Sequence, residues 1–526
     1  MFFHQHCIPD KRKRFYIPVQ NVLYSDKAAN VELFVKNEFI QPLIHFLPPT
    51  VDIAPGGEVL LDFGAAFHGG IRIISTGLPT KVKVTLGESA SEAVGVPDES
   101  HSCKNTVLDL PGWGMTEYGN TVFRFVRLVN ITDKDLSFQN VIGVALERDI
   151  DITGSFNSSD ERLNKIWKTA IRTVQLCMQD YLYDGSKRDR IVWIGDMHPE
   201  IKGICCAFSD KSIIRDSMEL LIRQTPAGKP MNSIYSYSCW FVICTWEYFM
   251  ATADRDFLEK NIDYIETILK TFSAFVDDMG SECLPDCRFL DWPNHHNEKA
   301  KHAGLQALLY WMMIDGAKIL EVLDRNSAFT ISCAKKLKKH IPSPCGRKAP
   351  AALLTLTGFG DYRNILEDEP LKNVSTFYGY YVLLAKDTLP ALELIRKYWG
   401  AMLDFGATSF WEDFDLEWIK NASPIDQLPQ KGKDDLHADF GNYCYKGLRH
   451  SLSHGWSCGP APFMSERVLG VKILTPGGSK ISVKPDLRDL EYVEGTFPTP
   501  HGLINISAEK SGKVSIDAPN NIEIIN

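Results

Sequence analysis

Long apolar runs are missing from this 526-residue chain. No window reaches about 18 uninterrupted apolar residues, which excludes a helical membrane span. Its first residues, Met1 to Arg14, lack a charged segment followed by an apolar stretch, so no secretory signal is expected. Basic excess is missing too. The net charge of −9 argues against a nucleic-acid or anionic-membrane surface as the main partner. Paired CxxC spacing is absent: Cys283 and Cys287 stand four apart with no second pair, so no zinc site is expected there. His295, His296 and His302 lack a carboxylate or cysteine at ligand-like spacing, and metal is not expected. The thirteen cysteines are odd in number, and Cys177, Cys205, Cys206, Cys239 and Cys244 lie in apolar runs. Buried reduced thiols in a cytoplasmic protein are the expectation.

What is present is ordinary in bulk: 44% hydrophobic and 23% charged residues, as in globular proteins. The length exceeds what one core usually fills, so several domains are expected. Up to about residue 150 the pattern is that of strands. Val82–Leu86 and Val122–Val129 alternate with period two, and turns at Pro55-Gly-Gly57 and Gly69-Gly70 separate the runs. A β-sandwich over 1–153 is the reading. Ser159 or Asp160 then opens a helix as its N-cap.

From about 160 to 467 the pattern is helical. Leu163, Ile166, Trp167, Ala170, Val174, Cys177, Met178 and Tyr181 recur at spacings of three and four. Similar stripes run across 199–223, 235–253, 256–277, 300–324, 376–386 and 389–403. So many helices exceed a four-helix bundle. A barrel of helical hairpins over 154–467, its cleft lined by loops, packs them economically, and no fixed repeat period argues for a solenoid. After about 468, short alternating segments such as Ile481–Lys484 and Ile504–Ser507 predict a small β-domain to 526.

One segment stands out by its chemistry. Asp184-Gly-Ser-Lys-Arg-Asp-Arg-Ile-Val-Trp-Ile-Gly-Asp196 holds three carboxylates, two arginines, a lysine and a tryptophan. A structural ion-pair network is one explanation. The other is a ring-shaped, hydroxyl-rich ligand, bound by hydrogen bonds from the charged groups and by stacking on Trp193. Further clusters join an aromatic to a polar group: Tyr235–Trp240, Phe289–Asn294, Ala407–Asp415 and Ser451–Pro460. Their order suits loops converging at one mouth.

Asp184…Arg188-Asp-Arg…Trp193-Ile-Gly-Asp196, Leu290-Asp-Trp-Pro293, Gly406-Ala-Thr-Ser-Phe-Trp-Glu412 and Ser451-Leu-Ser-His-Gly-Trp-Ser-Cys-Gly-Pro460 follow, in order, the motif set of the α-L-rhamnosidases of glycoside hydrolase family 78. Gly154–Asn164 resembles that family's entry to its catalytic domain, and Leu61-Asp-Phe-Gly64 with Gly69-Gly70 resembles the preceding β-domain. The resemblance runs from about residue 55 to the end. It implies an (α/α)6 barrel flanked by β-sandwich-like domains and hydrolysis of terminal α-L-rhamnose with inversion, without metal or other cofactor. By motif position Asp189 is the general acid and Glu412 the general base. Asp184, Arg188 and Asp196 grip sugar hydroxyls; Trp193, Trp240 and Trp292 pack on the ring and its C6 methyl; Asp291 and His454 complete the pocket. The partner implied is a small carbohydrate, with no nucleic acid and no membrane; a homodimer is compatible with the chain.

The chain departs from the family in three places. Asp189 stands where members mostly carry Glu, withdrawing the carboxyl by ~1 to 1.5 Å. Gly185, Ser186 and Lys187 replace the usual Cys-Pro-Gln. The stretch between Glu412 and His454 is longer than usual, with a polar run from Gln427 to Asp439. Two alternatives follow: a glycosidase of this architecture acting on another sugar, or a catalytically weak rhamnose-binding or sensing protein.

Overall fold

The computed structural model describes residues 7–35, 49–95, 104–440 and 447–525. Seven strands between Arg12 and Arg148 form one antiparallel sheet. Its long strand Val51–Thr76 pairs with Gly114–Val129 along most of its length. Register breaks between Asp62 and Phe67 let the same strand meet Leu136–Arg148 at both of its ends. Such irregularities bend a strand and increase its twist, so the sheet curls around its own core. Phe63, Phe67, Phe123 and Phe138 fill that core with alternating inward positions. At Gly69, with φ 147°, a Cβ would meet the Val144 carbonyl oxygen at 2.0 Å, so only glycine allows this approach.

Helices dominate the next three hundred residues or so. Glu161–Cys177 starts where Asp160 accepts hydrogen bonds from the Arg162 and Leu163 amides, the N-cap expected there. Its apolar stripe is buried as the spacing predicts. The stripe over 199–223 resolves into two helices, Met197–Ala207 and Ser212–Gln224. The chain leaves helical geometry at Phe208, where the extended backbone bridges to Ile152. Tyr235–Thr252 and Glu298–Val322 are buried on nearly every face and pack on each other. Arg255–Ser273, Ala328–Leu337, Lys348–Leu356, Gly379–Ala385 and Thr388–Asp404 surround them. The second and third of these were not among the expected stripes.

Two small sheets close the chain. Val471–Ile473, Lys480–Val483 and Glu523–Ile525 form one. The other pairs Tyr492–Thr499 with Gly502–Glu509 and Val514–Asp517, and recruits Ser155–Ser158 from before the helices. Tyr492–Thr499 was missed in the sequence because Gly495 and Pro498 interrupt its alternation. No helix among the described residues is long and apolar enough to cross a membrane. Eleven cysteines fall in the described residues, seven of them buried as thiols.

The curled sheet matters to the site because it holds two loops of the helical region. Val122 donates its amide to the Ser186 carbonyl at 3.2 Å, and the Thr121 hydroxyl donates to the Lys187 carbonyl at 3.2 Å. Arg124, paired with buried Asp62, donates to the Gly406 carbonyl at 3.1 Å; the Ala66 amide donates to Thr408 at 3.0 Å. The loops carrying Asp189 and Glu412 thus rest on one scaffold.

Candidate active site

The charged segment begins where helix Glu161–Cys177 ends, and it finishes at Asp196, where Met197–Ala207 starts. Between them the backbone is tied to the 451–455 segment. The Ser186 amide donates to the Ser453 carbonyl at 3.3 Å, and the Gly455 amide to the Asp184 carbonyl at 2.8 Å. Gly455 tolerates no side chain, since a Cβ would lie 1.7 Å from Glu200 Oε1. Asp189 and Arg190 both adopt left-handed backbone angles, φ 52° and 53°. For non-glycine residues that conformation is uncommon and clusters at functional sites.

A cavity of about 280 Å³ opens here, lined by Asp184, Arg188, Asp189, Trp193, Asp196, Trp292, Glu412 and His454 among others. Eight of the ten residues singled out in the sequence therefore meet at one mouth. Arg188 is central. Its Nη2 donates to both Glu412 carboxylate oxygens, and its Nη1 lies 3.2 Å from Asp189 Oδ2. The two carboxylates, 223 positions apart in sequence, face one guanidinium. Glu412 is oriented further: Oε2 accepts from the Ser451 amide at 3.2 Å, and its own amide donates to the Ser451 carbonyl at 2.9 Å.

His454 stands on the other side of Glu412. Its Nε2 lies 3.1 Å from Asp196 Oδ1, and its Nδ1 3.9 Å from Glu412 Oε1. Burial holds the imidazole below its ordinary value, so a neutral ring donating from Nε2 fits the pair. Asp196 is pushed up by burial, and Asp184 is pushed well up by burial and by the neighbouring carboxylates Asp196, Asp189 and Glu412. Four carboxylates around one cavity cannot all ionise cheaply. Asp184, pushed furthest, can hold a proton and donate a hydrogen bond, while Asp196 accepts from His454.

The remaining wall is aromatic. Trp193 meets Tyr237 edge to face at 5.8 Å, and Phe289 meets Trp292 at 4.9 Å. Trp456, whose Nε1 donates to the Glu412 carbonyl at 2.8 Å, closes the floor against His454 at 4.4 Å.

Two expected site residues do not reach the cavity. Trp240 is 1% exposed and packs on His198, Tyr381 and Trp311 inside the helical core. The reason is position along the helix: Tyr237, one turn earlier on the same face, takes the cavity position. Asp291 is buried and accepts from the Asn294 amide at 3.1 Å and side chain at 2.7 Å. It caps the short helix Trp292–Asn294 and so orients Trp292 rather than touching the cavity. Tyr237, Phe289 and Trp456 lie inside clusters the sequence made conspicuous. Ile234 and Arg449 carried no signal.

Two histidine groupings bear on metals. His302 lies 2.6 Å from Glu282 and 3.1 Å from His340, partners from elsewhere in the chain. Glu88, Glu92 and His437 present ligand atoms within 4.8 Å of one another. Lys187 Nζ already stands among them, 2.7 Å from Glu92 and 3.1 Å from His437. Its ammonium takes the position a cation would.

Residues 151–327 match the family model of the bacterial α-L-rhamnosidase six-hairpin glycosidase domain. No curated protein matches the chain. Among solved structures, the chain is similar to the family 78 rhamnosidase of Bacillus sp. GL1, with TM-score 0.72 and 20% identity over 92% of this chain and 54% of that one. A Klebsiella oxytoca rhamnosidase with rhamnose bound aligns with TM-score 0.71 and 21% identity, covering 86% of this chain and 96% of that one. The Streptomyces avermitilis α-L-rhamnosidase complexed with L-rhamnose aligns with TM-score 0.75 and 15% identity, over 98% and 50% respectively. The chain thus spans about half the length of the Bacillus and Streptomyces proteins, and nearly all of the Klebsiella one.

Proposed function

We propose that this chain, whose residues 151–327 match the six-hairpin glycosidase domain of the bacterial α-L-rhamnosidases, is an inverting α-L-rhamnosidase acting on terminal rhamnose of small glycosides. In this reading residues 154–467 close as an (α/α)6 barrel, flanked by β-sandwich-like domains at 1–153 and 468–526, and the protein works in the cytoplasm. The observation that carries the reading is the Asp189–Arg188–Glu412 constellation at the mouth of an aromatic-walled cavity.

Inversion needs one carboxylic acid to protonate the leaving oxygen and one carboxylate to take a proton from water attacking the opposite ring face, the pair being ~6.5–9.5 Å apart. Asp189, at the more open edge, would donate to the glycosidic oxygen as the C1–O bond breaks. Glu412, held by Arg188 and the Ser451 amide, would accept the proton of the water that bonds to C1. Protonated Asp184 and the Asp196–His454 pair suit sugar hydroxyls. Trp193, Tyr237 and Trp292 offer apolar surface to a methyl where most hexoses carry a hydroxymethyl. The cavity's volume of about 280 Å³ supports one sugar ring rather than a polymer segment.

The experiment is a panel of p-nitrophenyl glycosides, with the anomer of the first product followed by NMR. Turnover of the α-L-rhamnoside with release of β-L-rhamnose is expected. Turnover of another glycoside alone, or retention at C1, sinks the proposal. Rutinose against a rhamnogalacturonan tests the size argument, and preference for the polymer would count against it.

Tyr237 provides a finer test. Its hydroxyl is hydrogen-bonded to Asp196. From the cavity wall the same hydroxyl can also meet a sugar hydroxyl, a bond worth about 1–2 kcal/mol, so Tyr237→Phe should raise KM roughly 5- to 30-fold with little change in kcat. A KM equal to the wild type's would remove Tyr237 from the binding set.

A further inference from the structure

Two of the chain's departures from its family, Lys187 and the polar run up to Asp439, meet in space. Lys187 is 3% exposed and enters a socket built from three separate segments. Glu92, on the short helix Ala90–Val94, lies 2.7 Å from Nζ, and Glu88 just before that helix lies at 3.6 Å. His437 reaches Nζ at 3.1 Å and is itself braced by the Ser89 hydroxyl at 2.6 Å. Asp435 accepts from Ser91 at 3.0 Å and fastens the same run to the helix.

Lys187 also grips backbone. Its Nζ donates to the carbonyl of Leu448 and, at 3.2 Å, to that of His450. Arg188, the next residue, donates from Nε to the carbonyl between them, that of Arg449, at 2.9 Å. Three successive carbonyls are therefore held by two adjacent side chains. The following residue, Ser451, accepts from the Glu412 amide at its carbonyl and donates its own amide to the Glu412 carboxylate.

We propose that Lys187 is a positioning residue, gripping the 448–450 segment from the Glu88–Glu92–His437 socket so that Ser451 and Arg188 present Glu412 in one orientation. This rests on the proposed role of Glu412. The chain holds this point with a buried cation and the polar run that carries His437.

The socket also makes the grip sensitive to pH. Two carboxylates face one ammonium, and Glu88 Oε1 has no hydrogen-bond partner. Burial raises the Glu88 carboxyl to about 7, and nearby Glu92 adds to it; Lys187, the Leu452 amide and Ser453 act in the opposite direction. His437 and Asp435 face the socket from the inserted run, Arg188 and His450 from the mouth; burial holds His450 neutral at about 3. A carboxyl whose folded value lies above its unfolded value binds its proton more tightly when folded. Its contribution is complete below the unfolded value near 4.5 and is lost as pH rises through about 7. The stability this socket lends the fold therefore falls on the alkaline side.

Full-length wild type, Lys187→Met, Lys187→Arg and Glu88→Gln are compared by rhamnoside kinetics and by hydrogen exchange of amides 448–454 without substrate. Lys187→Met should lower kcat roughly tenfold or more, with a smaller change in KM, because a displaced catalytic group is costly. It should also speed exchange across 448–452, and Lys187→Arg should recover part of both. Glu88→Gln cannot ionise, so the alkaline limb of its kcat profile should move to higher pH. Unchanged kcat and exchange in Lys187→Met overturn the proposal, as does an alkaline limb in Glu88→Gln that coincides with the wild type's. If Lys187→Met does not fold, the Glu88→Gln profile decides. If wild type turns over no rhamnoside, the proposed activity fails, and the exchange contrast alone tests the grip.

Discussion

Glu412→Gln should lower kcat by about 10²–10⁴-fold while KM changes little, since it removes the group that accepts a proton from the attacking water. The amide keeps the shape of the side chain and one acceptor for the Ser451 amide and Arg188, so the fold and the pocket should persist. The loss therefore reads chemistry rather than collapse. Asp189→Asn removes the proton donor and should cost as much with poorly activated leaving groups, and much less with p-nitrophenolate, which leaves without protonation. That difference between substrates separates acid from base. Azide offered to Glu412→Gln can attack C1 without a base and should restore turnover, giving the inverted glycosyl azide. Full activity in either variant on a natural-type rhamnoside would remove that residue from its role and favour the weak, sugar-binding reading. Asp189→Glu restores the methylene found in most relatives. A gain in kcat would mean that the shorter acid limits this chain.

The second large effect is expected at Arg188. Its side chain is 8% exposed and that of Glu412 only 4%, so the pair is desolvated. Arg188→Met keeps the apolar stem but leaves Glu412 buried without its cation, and the Arg449 carbonyl without its donor. Breaking one side of a buried pair costs ~3–5 kcal/mol. Denaturant unfolding should show that loss, and kcat should fall with it because the base is no longer held. Replacing both partners, Arg188→Met with Glu412→Leu, should recover much of the stability but none of the activity. Stability within about 1 kcal/mol of wild type in the single variant would mean that water already solvates Glu412.

Legibility in the sequence followed the range of the interactions. The Asp160 cap, the amphipathic stripe of Glu161–Cys177 and the alternating strands were readable because each is set by neighbours within a turn or a pleat. The density of charge from Asp184 to Asp196 was readable as chemistry, and the ordered motifs matched it with Glu412. Errors arose where a local pattern allowed two geometries. Trp240 and Tyr237 lie on one helix among residues that are mostly apolar or small, so nothing in the pattern sets which turn faces the cavity. Asp291 beside Trp292 has the composition of a binding pair; its φ and its bond to Asn294 make it a cap.

By itself, the sequence determined which segments carry reactive groups, since that depends on residue type and spacing alone. Only the tertiary structure decided how those groups pair. Arg188 between Asp189 and Glu412, Ser155–Ser158 joining Tyr492–Thr499, and Lys187 in a socket with Glu88 and His437 all join parts of the chain far apart in sequence. Burial supplies the rest. The carboxyls of Asp184, Asp196 and Glu88 are all pushed above their ordinary values, because the folded chain, and not the order of its residues, takes away their solvent.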